Sequence, residues 1–233
     1  AMAKVFSDKQ IAGRSRFSII PSSVDLNLFH EPDESKNERA VIRCELGIPP
    51  ESPVVGIAAR FDPLKGHGDL LDILPDLLRR HKDLQLLFLG DGWHRDVLER
   101  RIRREGLNEN VIFTGLVPLD RVGHVLGGVD VVVLPTYQEG QGRVLIEALL
   151  CGCGIVAYDV GGVGSICIQN QTGWLVPLGN RAALRDAILD ALEDPVHRRE
   201  RVERGQKHVL AEFDAGNMVE MIQQTYCDVL ERR

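Results

Sequence analysis

Between residues 54 and 160, short apolar runs alternate with stretches whose apolar residues recur every three or four positions. The runs are Pro53–Ala59, Leu84–Leu89, Val111–Val117, Val129–Leu134 and Ile155–Tyr158. Their length, β-branched content and flanking turn residues mark them as buried strands. Leu70, Leu71, Leu74, Leu77 and Leu78 fall at helical spacing, and Pro75 inside that pattern predicts a kink or an early stop. Trp93–Glu105, Asp120–Leu126 and Val144–Leu150 read as the helices that follow. Such alternation folds as a parallel sheet with helices on both faces, an α/β architecture. The 233 residues suffice for one sizeable core.

The flanks are less regular. Residues 1–16, beginning Ala1-Met2-Ala3, read as the tail of a preceding domain or an expression remnant. Arg16–Asp25 reads as a short strand and turn, and Asn37–Leu46 as a helix stopped by Gly47. Three amphipathic helices close the chain, over 180–193, 195–211 and 215–232. The last carries Met218, Met221, Ile222, Thr225, Tyr226 and Val229 along one stripe.

The stretch Pro135-Thr136-Tyr137-Gln138-Glu139-Gly140-Gln141-Gly142-Arg143-Val144-Leu145-Ile146-Glu147-Ala148 leaves a strand, turns through glycines and enters a helix. The free N–H groups and dipole at that helix start favour an anion. Glu139 and Glu147, with seven residues between them, place carboxylates on either side of it. A ligand with a diphosphate flanked by hydroxyl-rich groups, such as a nucleotide sugar, suits that arrangement. Arg60 and Lys65 follow the strand Pro53–Ala59, at the carboxyl end where open α/β sheets bind ligands. An isolated loop Arg or Lys is usually solvated; two at a strand end can also neutralise a diphosphate.

The Glu-x7-Glu spacing with Glu139-Gly140-Gln141-Gly142 resembles the donor site of retaining family 4 glycosyltransferases, enzymes of the GT-B fold with two Rossmann-like domains facing a cleft. Further segments match that family in order: Ile20-Pro21-Ser22-Ser23-Val24-Asp25 for the interdomain linker, Arg60 with Lys65-Gly66, the Gly90-Asp91-Gly92 turn, Val111–Val117, and Thr172-Gly173-Trp174-Leu175-Val176-Pro177. Departures are Ser22-Ser23 for an asparagine and glycine, Ala59 for a glycine, Gln141 and Arg143 for apolar residues, and Gly164-Ser165 for a proline and glutamate. The resemblance implies that residues 17–233 are a donor-binding Rossmann-like domain, one half of a GT-B fold, and that an acceptor-binding half would precede it. It also implies roles. Arg60 and Lys65 hold the diphosphate, Glu139 the donor sugar and Glu147 the ribose. Backbone groups at Gly115, Leu116 and Val117 take the nucleobase edge, and those at Gly140, Gly142, Arg143 and Val144 line the phosphate turn. The final helix of such enzymes often crosses back to the other half; packing on its own sheet is the alternative. His67 lies near the phosphate-side turn, and solvent or the helix end is its expected partner.

Other classes are constrained by composition. A net charge of −6 argues against nucleic acid as the main partner. No apolar run reaches membrane-spanning length, and five cysteines without disulfide-scaffold spacing point to free thiols in a reducing compartment. The expected location is cytoplasmic, at the inner face of a membrane where the acceptor is lipid-linked; peripheral membrane contact of a longer enzyme stays open. Cys151-Gly152-Cys153 has no second ligand pair at zinc spacing, so small side chains packed at a helix end are expected rather than a metal. Arginines at 95, 100, 101, 103 and 104 are interleaved with Glu99 and Glu105, as on a solvated helix face. No P-loop occurs. The expected function is glycosyl transfer from a nucleoside-diphosphate sugar, UDP-sugars ranking slightly ahead of GDP- and ADP-sugars, in lipopolysaccharide or polysaccharide biosynthesis and without metal or other cofactor. A nucleotide-sugar 2-epimerase and a non-catalytic nucleotide-sugar-binding module are the alternatives.

Overall fold

The structure is a computed structural model that describes residues 18–231. Six strands are present: β1 Val54–Ala58, β2 Gln85–Leu89, β3 Val111–Gly115, β4 Val131–Leu134, β5 Gly154–Tyr158 and β6 Trp174–Val176. Eight helices accompany them: α1 Glu38–Glu45, α2 His67–Arg80, α3 Arg95–Glu105, α4 Leu119–Gly127, α5 Arg143–Leu150, α6 Arg181–Glu193, α7 Pro195–Glu212 and α8 Ala215–Glu231. All strand pairings are parallel, in the order β3-β2-β1-β4-β5-β6. The expected Rossmann-like parallel sheet is therefore what forms.

Period-two alternation along each strand divides the core into two layers. Val132, Leu134, Ile155 and Ala157 pack with Leu145, Ile146 and Leu149 of α5 on one face. Val131, Val133, Val156 and Tyr158 pack with α2, α3 and α6 on the other. Both faces are covered, which is why the strands read as continuous apolar runs. β1 sits between β2 and β4, and its return helix α2 lies on the opposite face from α5, the return helix of β4. The sheet thus changes winding direction between β1 and β4, the place at whose carboxyl edge open α/β sheets bind ligands.

Two expectations need correction. Of the expected strand Arg16–Asp25, residues 18–25 pair with no strand of the described sheet, and residues 16 and 17 lie outside the described residues. Pro75 neither ends nor shortens α2, which runs continuously through it. Leu70, Leu71, Leu74 and Leu77 anchor the buried face, while Pro75 lies on the exposed face, so its ring displaces nothing in the core. The closing helix α8 has no buried residue, so packing on its own sheet does not account for its apolar stripe.

At the amino ends of the strands, Asp130 accepts from the Val54 amide and from Arg43, both at 2.8 Å, with Arg39 at 3.5 Å. Arg43 is buried and also donates to the carbonyls of Gly128 and Pro50. Removing Asp130 leaves a buried cation and a strand amide without their partner. Asp130→Ala is expected to lower unfolding free energy by about 3–5 kcal/mol in urea denaturation; a loss below about 1 kcal/mol would show that water replaces the carboxylate.

Candidate functional site

The crevice is built by two close backbone approaches. Gly66, at φ +76°, caps the 3-10 turn Pro63–Lys65 and abuts the Pro135 carbonyl so tightly that any Cβ would collide with it. Gly161, at φ +58°, and Gly162 lie in the same way against the carbonyls of Glu139 and Gly140. The loop after β4 is therefore held between the loops after β1 and β5. Hydrogen bonds reinforce the first contact: the Tyr137 amide and the Thr136 hydroxyl both donate to the Leu64 carbonyl, at 2.8 and 3.1 Å.

This stitching brings Lys65 to Glu139. Lys65 Nζ lies 2.9 Å from Glu139 Oε2, with both side chains about three-quarters withdrawn from solvent. The other Glu139 oxygen accepts from the Gly140 amide at 3.0 Å. Two residues later Gly142, at φ +84°, opens α5 with no side-chain cap, so the first amides of that helix have no intrahelical acceptor. Arg143 is exposed in the first turn and Val144 half-buried beside it. Glu147 follows one turn further in, half-buried, and accepts no hydrogen bond among the described residues. Burial raises its carboxyl above the ordinary range, against the opposing pull of Arg143.

Arg60 stands apart from that cluster, largely exposed and 3.4 Å from Asp62. It lines an open depression of about 610 Å³ with Gly90, Asp91, Gly92 and Leu116. Gly115, at φ +69°, accepts from the Gly90 amide at 3.1 Å, and Leu116 projects from that turn with 81% of its surface in solvent, ahead of half-buried Val117. The sequence-derived residues thus fall into two groups: Lys65, Glu139, Gly140, Gly142, Arg143, Val144 and Glu147 around the β4 turn, and Arg60, Gly115, Leu116 and Val117 around the depression.

One contact of the turn was not read from the sequence. Gln141 makes a reciprocal amide pair with the backbone of Ser22: its oxygen accepts from the Ser22 N–H at 2.7 Å and its nitrogen donates to the Ser22 carbonyl at 2.8 Å. A polar residue here ties the entering chain to the turn, across 119 positions. Ser23 is not at positive φ, so its backbone needs no glycine. Cys151 and Cys153 are buried and their thiols donate to the carbonyls of Gly123 and Leu126. Burial pushes the Cys151 thiol up to about 12, so both stay protonated packing groups. On α3, Arg95, Arg101, Arg103 and Arg104 all pair with acids.

The expectation for His67 is overturned. It is 1% exposed, its ring edge-on to Phe61 and Phe88, and neither ring nitrogen has a partner among the described residues. The sequence signal was the aromatic residue of β2 opposite the first turn of α2. Burial lowers its pKa from 6.5 to about 4, with His94 adding to the effect.

The sequence profile of "Glycosyl transferases group 1" matches residues 38–208. The chain belongs to that family. It is 34% identical over 190 residues to D-inositol 3-phosphate glycosyltransferase of Nocardia farcinica, covering 78% of this chain and 41% of that one. A GDP-mannose-dependent monoacylated phosphatidylinositol monomannoside mannosyltransferase of Corynebacterium glutamicum is 28% identical, with 84% and 52% covered. Sucrose-phosphate synthase of Thermosynechococcus elongatus superposes with a TM-score of 0.85 at 27% identity, over 99% of this chain and 57% of that one. The fold is thus a Rossmann-like half of the GT-B type, and the chain spans about half the length of the curated relatives it matches. Among the described residues of this group 1 glycosyl transferase chain, no helix is long and apolar enough to cross a membrane.

The buried imidazole gives a measurable pH signature. Between pH 6.5 and about 4 the unfolded chain protonates His67 while the folded chain keeps it neutral, so stability falls as pH falls through that window. The full contribution is about 3 kcal/mol. His67→Phe, which keeps an aromatic ring in the cluster, is expected to remove that part of the slope when denaturation is compared at pH 7 and pH 4; an unchanged slope would mean that the folded state protonates His67 normally.

Proposed function

We propose that this chain is the donor-binding, carboxy-terminal half of a retaining family 4 glycosyltransferase, and that the crevice between β1 and β4 takes a nucleoside-diphosphate sugar. The observation that carries this reading is the Lys65–Glu139 contact. A cation and a carboxylate 74 residues apart meet at the winding reversal of the sheet, beside an uncapped helix start. The GDP-mannose dependence in the name of the Corynebacterium glutamicum relative supports a nucleotide sugar as donor.

In this reading Lys65 exchanges Glu139 for a phosphate oxygen when the donor enters, and the freed Glu139 accepts from sugar hydroxyls. The first amides of α5, near Gly142, Arg143 and Val144, donate to the diphosphate. Arg60 reaches it from the depression. Glu147, unpartnered and one turn into α5, accepts from ribose hydroxyls, while backbone groups at Gly115–Val117 meet the base. The bond between the anomeric carbon and the diphosphate oxygen breaks, and the charge on the departing phosphate is met by Lys65, Arg60 and the helix amides. The acceptor hydroxyl adds on the face the diphosphate leaves and passes its proton to the departing phosphate oxygen, which gives retention. The cations supply the charge compensation, so the reading includes no resident metal. UDP-sugars rank slightly ahead of GDP- and ADP-sugars, and the acceptor is a glycan, a lipid-linked molecule or another hydroxyl-bearing compound. The acceptor would be held by a preceding half that also covers α8, whose Val219, Met221, Tyr226, Val229 and Leu230 lie 41–69% exposed.

Two measurements test the reading. A thermal-shift panel with UDP, GDP, ADP and their sugar conjugates is expected to give one responding nucleotide, adding about 2.7 kcal/mol of stability at about 100 times its dissociation constant. Glu147→Ala should abolish that response. In the full-length protein, Arg60→Ala and Lys65→Ala should each lower transfer by about a hundredfold or more. Unchanged transfer would contradict the catalytic assignment and leave a binding module as the better account.

A further inference from the structure

We propose that Asp69 and Tyr137 are positioning residues for the donor site, acting through the two loops that carry Lys65 and Glu139; the proposal rests on the donor-site reading above. Asp69 lies in the first turn of α2 and is 4% exposed. A carboxylate at that depth persists only when its oxygens are filled by donors. Three donors converge on it from three other elements. The Tyr137 hydroxyl donates to Oδ2 at 2.7 Å, the Tyr158 hydroxyl to the same oxygen at 2.8 Å, and Arg181 Nε to Oδ1 at 2.9 Å. Tyr158 ends β5 and Arg181 opens α6, so those two arms hold the layer together.

The Tyr137 arm has a different reach. Tyr137 stands two residues before Glu139, and Asp69 four residues after Lys65. The Tyr137 amide also donates to the carbonyl of Leu64, the residue before Lys65, at 2.8 Å. A residue on the Glu139 loop thus grips the chain on both sides of Lys65, its backbone on the turn before it and its side chain on the helix after it. Thr136 repeats the link through its hydroxyl to Leu64. The Tyr137 ring packs edge-on to Tyr158 at 5.9 Å and is half-buried, so phenylalanine keeps the packing and loses only the hydrogen bond.

A shift of the turn by a fraction of an ångström changes how Lys65 and the α5 amides meet a diphosphate, and leaves the depression around Arg60 and Leu116 in place. Isothermal titration of this chain is therefore made with UDP, GDP and ADP, and then with the monophosphate matching whichever diphosphate binds. In Tyr137→Phe, diphosphate affinity is expected to fall about tenfold, the worth of one lost hydrogen bond to a charged group. Monophosphate affinity should stay within about twofold. Added to Lys65→Ala, Tyr137→Phe should cost less than it costs alone, because part of its effect passes through the lysine. Asp69→Asn should show the same selectivity with a larger loss, and Tyr137→Phe keeps the test open should Asp69→Asn fail to fold. Unchanged diphosphate affinity, or an equal fall for diphosphate and monophosphate, overturns the proposal while leaving the donor-site reading intact. No binding of any diphosphate by the unsubstituted chain overturns the donor-site reading, and this proposal with it.

Discussion

The carboxyl edge of the sheet is organised by how closely the loop after β1 can lie against the loop after β4. That closeness depends on Gly66, whose positive φ and missing side chain let the chain abut the Pro135 carbonyl. Because β1 and β4 are adjacent and parallel, their loops emerge side by side. Because α2 and α5 return on opposite faces, the same loops must then part. Adjacency and divergence together bring the two loops into contact at Gly66 and no further. The glycines at 161 and 162 do the same from the β5 side, so the Glu139 turn is confined by backbone on both flanks.

Within that frame the charges are unevenly satisfied. Asp130 and Asp69 are each surrounded by donors. Glu139 is paired, but with a single lysine and one amide. Glu147 has no donor among the described residues and sits where burial disfavours its charge. Arg60 and Arg143 are exposed. Polar groups left under-satisfied beside a topological switch point are what a ligand with several hydroxyls and phosphates would complete.

The five core strands were legible because both faces of the sheet are covered, which turns each strand into an uninterrupted apolar run; the observed ends fall within two residues of those expected. The site was legible as a set of residue types along the chain, because loops at strand ends and a glycine-bounded helix start are local features. Their pairing was not. The Lys65–Glu139, Gln141–Ser22 and Asp69–Tyr137 contacts join segments 74, 119 and 68 residues apart, and no periodicity encodes such distances. Local rules also failed where tertiary packing outweighed them. Pro75 is absorbed because the buried leucines of α2 fix the helix on either side of it. His67 was read by its polarity, yet Phe61 and Phe88 enclose it. Residues 18–25 had strand character but join no strand of the described sheet.

The most direct test of the central claim is a crystal structure of this chain grown with UDP, GDP or ADP, whichever binds. The account requires the diphosphate between Lys65 Nζ and the first amides of α5, the Lys65–Glu139 contact opened by a phosphate oxygen, and the ribose against Glu147. A nucleotide bound elsewhere, or one in the crevice with Lys65 still paired to Glu139 and the α5 amides unoccupied, would contradict it.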